Sequence, residues 1–142
     1  MSIFRYITMP TYEEAFSEIP KSIRDVFPDP ERCKRPSLVQ MHKKVAMTYM
    51  LWLIEREPMT GYQLMKLLKE HHHRAMATPS RIYPLLSRLE DAGLLRSRTL
   101  KKGKRESKQY SITKKGKLVI KTTRKILSSM LWGEFLQDIS KR

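Results

Sequence analysis

Cysteine, glycine and acidic residues are scarce in this chain of 142 residues. With a single cysteine, Cys33, the chain cannot form an internal disulfide bond. The sequence also lacks a signal peptide and any run of about 20 apolar residues, the length that crosses a bilayer. We therefore expect a cytoplasmic protein without a membrane partner.

Patterns typical of enzymes and metal sites are missing as well. There is no glycine-rich phosphate loop, no nucleophile elbow and no paired carboxylates among the 14 acidic residues. Three consecutive histidines, His71 to His73, cannot direct their rings at one metal ion from a helix, and Cys33 and His42 are distant in sequence. We expect no catalysis, no metal ion and no cofactor.

Positive charge, in contrast, is abundant and concentrated. Lysine and arginine number 29 against 14 acidic residues, which gives a net charge of +15. Residues 100–125 contain 11 of these cations and one acidic residue, and so contribute +10. A localised positive patch predicts a polyanionic partner. A membrane surface is disfavoured because no basic amphipathic helix with an apolar face, and no lipidation motif, is present.

The segment from Pro79 to Gly93 predicts a DNA-recognition helix. Thr78 can cap its first turn, Pro79 suits the first helical position, and Gly93 can adopt the left-handed conformation that ends a helix. An apolar stripe consists of Ile82, Leu85, Leu86 and Leu89, opposite Ser80, Pro84, Ser87 and Asp91, with Tyr83 and Arg88 beside the polar side. Alone, this pattern also fits an ordinary amphipathic surface helix.

A basic hairpin is predicted directly after this helix. Residues 94–100 and 107–113 are two short strand candidates, and in the second Tyr110 and Ile112 alternate with polar residues. The link between them carries Lys101, Lys102, Lys104 and Arg105 around Gly103. Beside a helix of the kind just described, these cations favour contact with phosphates over a merely solvated loop.

Two more helices are predicted upstream. Residues 38–55 carry an apolar stripe typical of a core helix, made of Leu38, Met41, Val45, Tyr49, Trp52 and Leu53. Thr60 to Gln63 is a capping box, so the next helix should begin at Gly61 and run to about Glu70. Tyr62 lies in its first turn, where it either meets a phosphate or packs against the preceding helix.

The C-terminal segment predicts a long helix from Lys114 to about Ile139, capped by Thr113. Its apolar band is wider than a lone surface helix needs, which predicts a homodimer. The dimerisation residues we expect are Ile120, Leu127, Met130, Leu131 and Phe135.

The first 37 residues form an arm that five of the eight prolines break into short pieces. Thr11 to Glu14 is another capping box, and apolar residues such as Phe16, Ile19 and Ile23 can dock onto a surface. The arm either clasps a second subunit or covers its own domain, and the sequence leaves both alternatives open.

Three stretches resemble the PadR family of transcriptional regulators, in order and at suitable spacing. They are residues 52–64 (WLIEREPMTGYQL), 80–94 (SRIYPLLSRLEDAGL) and 109–116 (QYSITKKG). The resemblance extends over roughly residues 38–139 and departs from the family pattern in the N-terminal arm. It implies a winged-helix domain followed by a long helix that forms a homodimer on a two-fold operator.

Carried over position by position, the resemblance implies DNA contacts from the recognition helix, the helix before it and the wing tip. These residues are Tyr62, Ser80, Arg81, Tyr83, Pro84, Arg88, Lys101, Lys102, Lys104 and Arg105. Some drug-sensing relatives stack planar ligands on a tryptophan of the last helix. Trp132 is therefore either part of such a site for a small-molecule effector or packed at the dimer seam.

The predicted fold is mainly α with a small β-hairpin. We expect an N-terminal arm with short helices (1–37), a winged helix-turn-helix DNA-binding domain (38–113) and a long C-terminal dimerisation helix (114–142). The predicted function is a PadR-type transcriptional regulator, a repressor that binds double-stranded DNA at a pseudo-palindromic operator. The alternatives are an architectural DNA-binding protein with little sequence preference and a winged helix that binds RNA or a ribonucleoprotein.

Overall fold

The computed structural model describes residues 12–27, 29, 38–71, 74–129, 138, 140 and 141. The elements are α1 (Tyr12–Ser17), a 3-10 helix (Lys21–Val26), α2 (Leu38–Arg56), β1 (Met59–Thr60), α3 (Gly61–Glu70), α4 (Pro79–Asp91), β2 (Leu95–Lys102), β3 (Arg105–Ile112) and α5 (Lys114–Ser129). Contacts divide the chain into a central unit, residues 45–117, and a terminal unit, residues 1–44 with 118–142. No helix in the described ranges is long and apolar enough to span a membrane.

Helix α3 begins where the capping box predicts. The Thr60 hydroxyl accepts a hydrogen bond from the Gln63 backbone N–H at 3.2 Å, and the Gln63 side-chain oxygen accepts from the Thr60 N–H at 2.8 Å. Two N–H groups that a helix start would leave without partners are thereby satisfied. The predicted bounds of α3, Gly61 to Glu70, are confirmed.

Helix α4 also has the predicted bounds, but one detail of its start differs. The prediction that the Thr78 hydroxyl caps the first turn is wrong, because Thr78 Oγ1 makes no such hydrogen bond and lies 3.3 Å from Ser80 Oγ instead. The Ser80 hydroxyl competes with the backbone N–H groups of the first turn for the Thr78 hydroxyl. At the other end, Gly93 has φ of +74° and Leu94 N–H donates to the Leu89 carbonyl at 2.9 Å. This is the left-handed helix end that the glycine predicts.

The sheet has three antiparallel strands in the order β1-β3-β2. Strands β2 and β3 pair from Leu95 with Ile112 to Lys102 with Arg105, so they reach closer to the tip than the predicted bounds. Only Gly103 and Lys104 remain in the turn, and the φ of +64° at Gly103 suits a two-residue hairpin. Strand β1, which pairs Met59 with Tyr110, was not predicted, since two residues carry no periodicity.

The core of the central unit lies between α2, α3, α4 and the sheet. From α2 it buries Met50, Leu51, Leu53 and Ile54; from α3, Leu64, Met65 and Leu68; and from α4, Ile82, Leu86 and Leu89, with Leu94, Leu95 and Tyr110. The prediction that Val45 belongs to the core stripe is wrong, because its side chain is 67% exposed. Apolar residues occur on several sides of α2, so spacing alone did not identify the side that packs.

Helix α5 starts against the end of α4. Thr113 N–H donates to the Leu94 carbonyl at 3.1 Å, and Lys115 Nζ donates to the Ala92 carbonyl at 3.0 Å. The Thr113 hydroxyl accepts from the Gly116 N–H at 3.1 Å, which confirms the predicted cap. A Cβ atom at Gly116 would overlap the Leu94 carbonyl oxygen and lie 2.6 Å from Ile112 Cγ1. The junction therefore requires glycine at this position.

In the terminal unit, the described part of the arm packs against the chain's own C-terminal helix. Ala15 and Ile19 are buried and line one pocket together with Leu118, Thr122 and Ile126 of α5. Glu18 and Lys125 form an ion pair at 3.0 Å. Arg24 donates to the carbonyls of Ser17 and Ile19, and this holds the turn between α1 and the 3-10 helix. The described part of the arm thus contacts the C-terminal helix of its own chain, and the choice between a clasp on a second subunit and a cover for its own domain stays open.

Replacing Gly116 by alanine tests the junction at the start of α5. Helix propensity alone would stabilise the protein by about 1 kcal/mol. We expect a loss of about 1–3 kcal/mol in the free energy of unfolding instead, because the new methyl group overlaps the Leu94 carbonyl. Urea unfolding measures the change, and the exposed neighbour Lys117→Ala is the control, which should stay within about 0.5 kcal/mol. A more stable Gly116→Ala protein would contradict the argument.

Candidate nucleic-acid interface

The outer side of α4 presents all five residues that the sequence assigns to DNA on this helix. Ile82, Leu86 and Leu89 are fully buried and fix which side of α4 faces the core. The opposite side exposes Ser80, Arg81, Tyr83, Pro84 and Arg88. Contacts of α4 with α3 and with β2 hold it on two flanks. The helix therefore offers a fixed, solvent-facing surface that fits the width of a DNA major groove.

Pro84 lies inside α4, where a proline removes one backbone hydrogen bond at a cost of about 3 kcal/mol in an ordinary helix. The carbonyl that is left without its partner belongs to Ser80, four residues earlier. Both residues are exposed, so water can satisfy this carbonyl and reduce the cost. Pro84 also leaves a compact surface without an N–H group on the outer side of α4.

Tyr62 and Tyr83 come together at the start of α3. Tyr62 is 71% exposed and Tyr83 is 46% exposed. A Cβ atom at Gly61 would lie 2.7 Å from Tyr83 Cε1, so the absence of a side chain at Gly61 lets the Tyr83 ring lie against the α3 backbone. The exposure of Tyr62 favours the first of its two predicted roles, contact with a partner, over packing against α2.

A cavity of about 440 Å³ opens between the start of α3, the outer half of α4 and strand β3. Its lining consists of Thr60, Gly61, Tyr62, Tyr83, Ser87, Glu90, Glu106, Ser107, Lys108 and Tyr110. Of these ten residues, Tyr62 and Tyr83 were predicted site residues, whereas Lys108, the cation of the lining, was not. The alternation of side chains along β3 could have identified Lys108, since it is two residues from Tyr110 and lies on the same face of the sheet.

Below this cavity, polar side chains join α4 to the wing. The Ser97 hydroxyl of β2 donates a hydrogen bond to a carboxylate oxygen of Glu90 on α4. Tyr110 of β3 is 5% exposed, and burial, with smaller contributions from Glu90 and Tyr83, raises the pKa of its phenol above the usual value of 10.0. The Tyr110 phenol thus stays protonated. The hydrogen bond from Ser97 to Glu90 ties the hairpin to the C-terminal end of α4.

The wing tip exposes the four predicted cations. Lys102 and Arg105 form the last pair of the ladder, Lys104 lies in the turn, and Lys101 is one residue further back. Lys101 forms an ion pair with Glu106 at 3.4 Å, and both side chains are mostly exposed. Such surface pairs contribute about 0–1 kcal/mol, so Lys101 can exchange this carboxylate for a phosphate at little cost.

The predicted dimerisation residues are only partly described. Ile120 is 2% exposed within the single chain, whereas Leu127 is 39% exposed and available to a partner. Met130, Leu131, Trp132 and Phe135 lie outside the described residues. The dimerisation role and the effector role of Trp132 stay predictions.

A family model described as "Transcriptional regulator PadR-like family" matches residues 50–122, just over half of the chain. The chain belongs to this family. The match spans α3, α4, the wing and the first half of α5, that is, all elements that form the surface described above. It confirms the resemblance and the winged-helix fold expected from the sequence.

Solved structures of the PadR-like family are similar to this chain. A PadR-like transcription factor from Bacteroides fragilis superposes with a TM-score of 0.58 at 24% identity, over 72% of this chain and 93% of the other, and shows the fold alone. A PadR family transcriptional regulator from Eggerthella lenta has a TM-score of 0.54 at 29% identity, over 73% and 86%. No protein of curated function matches the chain significantly.

Proposed function

We propose that this PadR-like chain is a repressor that binds a pseudo-palindromic DNA operator as a homodimer and has no catalytic activity. The observation that carries the proposal is the outer side of α4. Its exposed residues combine an arginine and hydroxyl groups with an apolar proline, flanked by an exposed cationic wing tip. Family membership supports the same function, because the family is one of transcriptional regulators.

Base readout is assigned to the first turn of α4. Ser80 and Arg81 are exposed there, and the N-terminal residues of a recognition helix approach base edges most closely. An arginine can donate two hydrogen bonds to a guanine, which is worth about 1–3 kcal/mol of discrimination against the wrong base. Tyr62 and Tyr83, beside the start of α3, are placed to contact a phosphate.

The wing supplies affinity without sequence preference. Its cations lie at the tip of a hairpin whose base is tied to α4 by Ser97 and Glu90. Lysines and arginines that neutralise phosphates release counterions from DNA, and this contribution is the same for every sequence. The tip therefore holds the duplex while α4 reads it.

The concentration of charge in residues 100–125 also favours the second candidate, an architectural DNA-binding protein. A regulator should bind DNA from upstream of its own gene in the presence of excess competitor DNA. An architectural protein should be displaced in proportion to the competitor added, since both DNAs present the same phosphates. Gel shifts with and without competitor separate the two, and preferential binding to RNA would contradict both.

Dimerisation is predicted through the apolar side of the C-terminal helix, where Leu127 is exposed. A two-fold dimer places two recognition helices about 34 Å apart, or a multiple of one DNA turn. Sedimentation should show a dimer at micromolar concentration, and Leu127→Glu should weaken it because a charge would be buried in the interface. A monomer at tens of micromolar for the unaltered protein would contradict this prediction.

Neutralising the wing tip should weaken binding to all DNA sequences alike. We expect the substitution of Lys101, Lys102, Lys104 and Arg105 by glutamine to flatten the plot of log K against log salt by roughly 0.9 for each phosphate that the protein no longer neutralises. The affinity ratio between the preferred site and an unrelated duplex should stay nearly constant. An unchanged salt slope would mean that these cations are only solvated.

Arg81→Ala should have the complementary effect. Removal of the guanidinium eliminates about 1–3 kcal/mol of discrimination at one base position of each half-site, while the fold and the dimer persist. Selection from randomised DNA compares the motifs recovered by the parent and the variant. Arg74→Ala removes the same side chain from an exposed position outside α4 and should recover the parental motif. Identical motifs and affinities for Arg81→Ala would show that Arg81 does not read bases.

A further inference from the structure

The hairpin of β2 and β3 has two faces with different surroundings. Ser97 and Tyr110 are cross-strand partners and mark the inner face, because Ser97 contacts Glu90 of α4 and Tyr110 is buried. Side chains alternate along a strand, so Arg96 and Arg98 lie on the opposite, outer face. Arg98 Nε donates to Gln109 Oε1 across the ladder at 2.8 Å, which confirms that these two partners share that face.

The outer face carries charge of one sign. On β2 it presents Arg96, Arg98, Leu100 and Lys102, and on β3 it presents Arg105, Ser107, Gln109 and Ser111, with all four cations exposed. The acidic residue of the hairpin, Glu106, belongs to the inner face, where it lines the cavity beside α4. A surface with four cations and no carboxylate is complementary to a polyanion.

The geometry of the arginines adds to this complementarity. Arg96 and Arg98 are two residues apart on one face, about 6.8 Å along the strand, so they bring two positive charges close together. The bond to Gln109 directs the Arg98 guanidinium and uses one of its five N–H donors. Charges on an edge strand such as β2 also prevent pairing with other strands, but either sign serves that purpose. The uniformly positive sign needs a separate reason.

We propose that Arg96 and Arg98, on the outer face of the wing behind its tip, bind the phosphate backbone of a second DNA segment. The inference rests on the proposed function, in which α4 holds the first segment. A duplex on the outer side of α4 lies on the inner side of the hairpin and meets the wing at its tip. Arg96 and Arg98, at the base and in the middle of β2, lie on the face away from it and are available to another duplex.

A capture experiment with the full-length protein tests this. The protein is bound to an immobilised duplex from upstream of its own gene, washed, and exposed to a fluorescent duplex of unrelated sequence. The variants are Arg96→Gln with Arg98→Gln, and Arg96→Lys with Arg98→Lys, which keeps the charge. Lys66→Gln with Lys69→Gln removes the same charge from exposed positions of α3 and is the matched control.

We expect the parent to capture the second duplex, with a steep salt dependence. The glutamine pair should bind the first duplex within about twofold of the parent, but the salt slope of capture should fall by about 1.8, two phosphates at roughly 0.9 each. The lysine pair and the Lys66 and Lys69 control should both capture like the parent.

Two results would overturn the proposal while leaving the proposed function intact. One is a parent that binds the first duplex but captures no second duplex. The other is a glutamine pair that captures as well as the parent, because the second duplex would then be held elsewhere, for example by the other recognition helix of a dimer. A parent that binds neither duplex would overturn the proposed function and this inference together.

Discussion

A single backbone carbonyl, that of Leu94, lies where α4, the wing and α5 meet. The Thr113 N–H donates to it, the Thr113 hydroxyl lies 3.1 Å from it, and Gly116 passes so close that a side chain would overlap it. Leu94 itself is fully buried and its N–H closes α4. Because the end of α4, both ends of the hairpin and the start of α5 share this junction, the wing cannot change its angle to α4 without breaking it. The position of the wing cations relative to the outer side of α4 depends on this constraint.

Several positive charges of this chain lie where they lower the stability of the free fold. Helix α5 has no acidic residue in its first turn, where the helix dipole favours one, and carries Lys114, Lys115 and Lys117 there instead. The outer face of the wing brings arginines together without a carboxylate, and the turn adds Lys104. Each such arrangement costs a few tenths of a kcal/mol in the isolated protein. Binding to phosphates reverses the sign of these energies, so the same residues that weaken the free fold strengthen a complex with DNA.

The sequence predicts those parts of the structure that local chemistry decides. Gly93, the Thr60 to Gln63 capping box and Thr113 place three helix boundaries correctly, because each acts within a few residues of itself. Partners distant in sequence determine the buried side of α2, the pairing of strand β1 and the packing of the arm. Local patterns therefore misplace Val45 and do not decide what the arm contacts. At the candidate site, the exposure of Tyr62, Arg81 and Pro84 follows from the helix period. Lys108, Arg96 and Arg98 were missed, because the register of strand pairing decides which face of the sheet each side chain occupies. Counting charges along the sequence does not reveal that register.

A single copy of α4 reaches only the lower part of the discrimination between DNA sequences that a regulator needs. Two base-reading side chains at about 1–3 kcal/mol each give a single α4 about 2–6 kcal/mol of discrimination. Regulators that find one site in a genome bind it about 4–10 kcal/mol better than other DNA. The strongly positive wing does not close this gap, since it raises affinity for every sequence alike and leaves the ratio unchanged. Two copies of α4 on a two-fold site double the discrimination while the phosphate contacts remain blind to sequence. Because the cations of this chain supply no discrimination, a second copy of α4 on a two-fold site is the source from which a regulator of this kind would gain the rest.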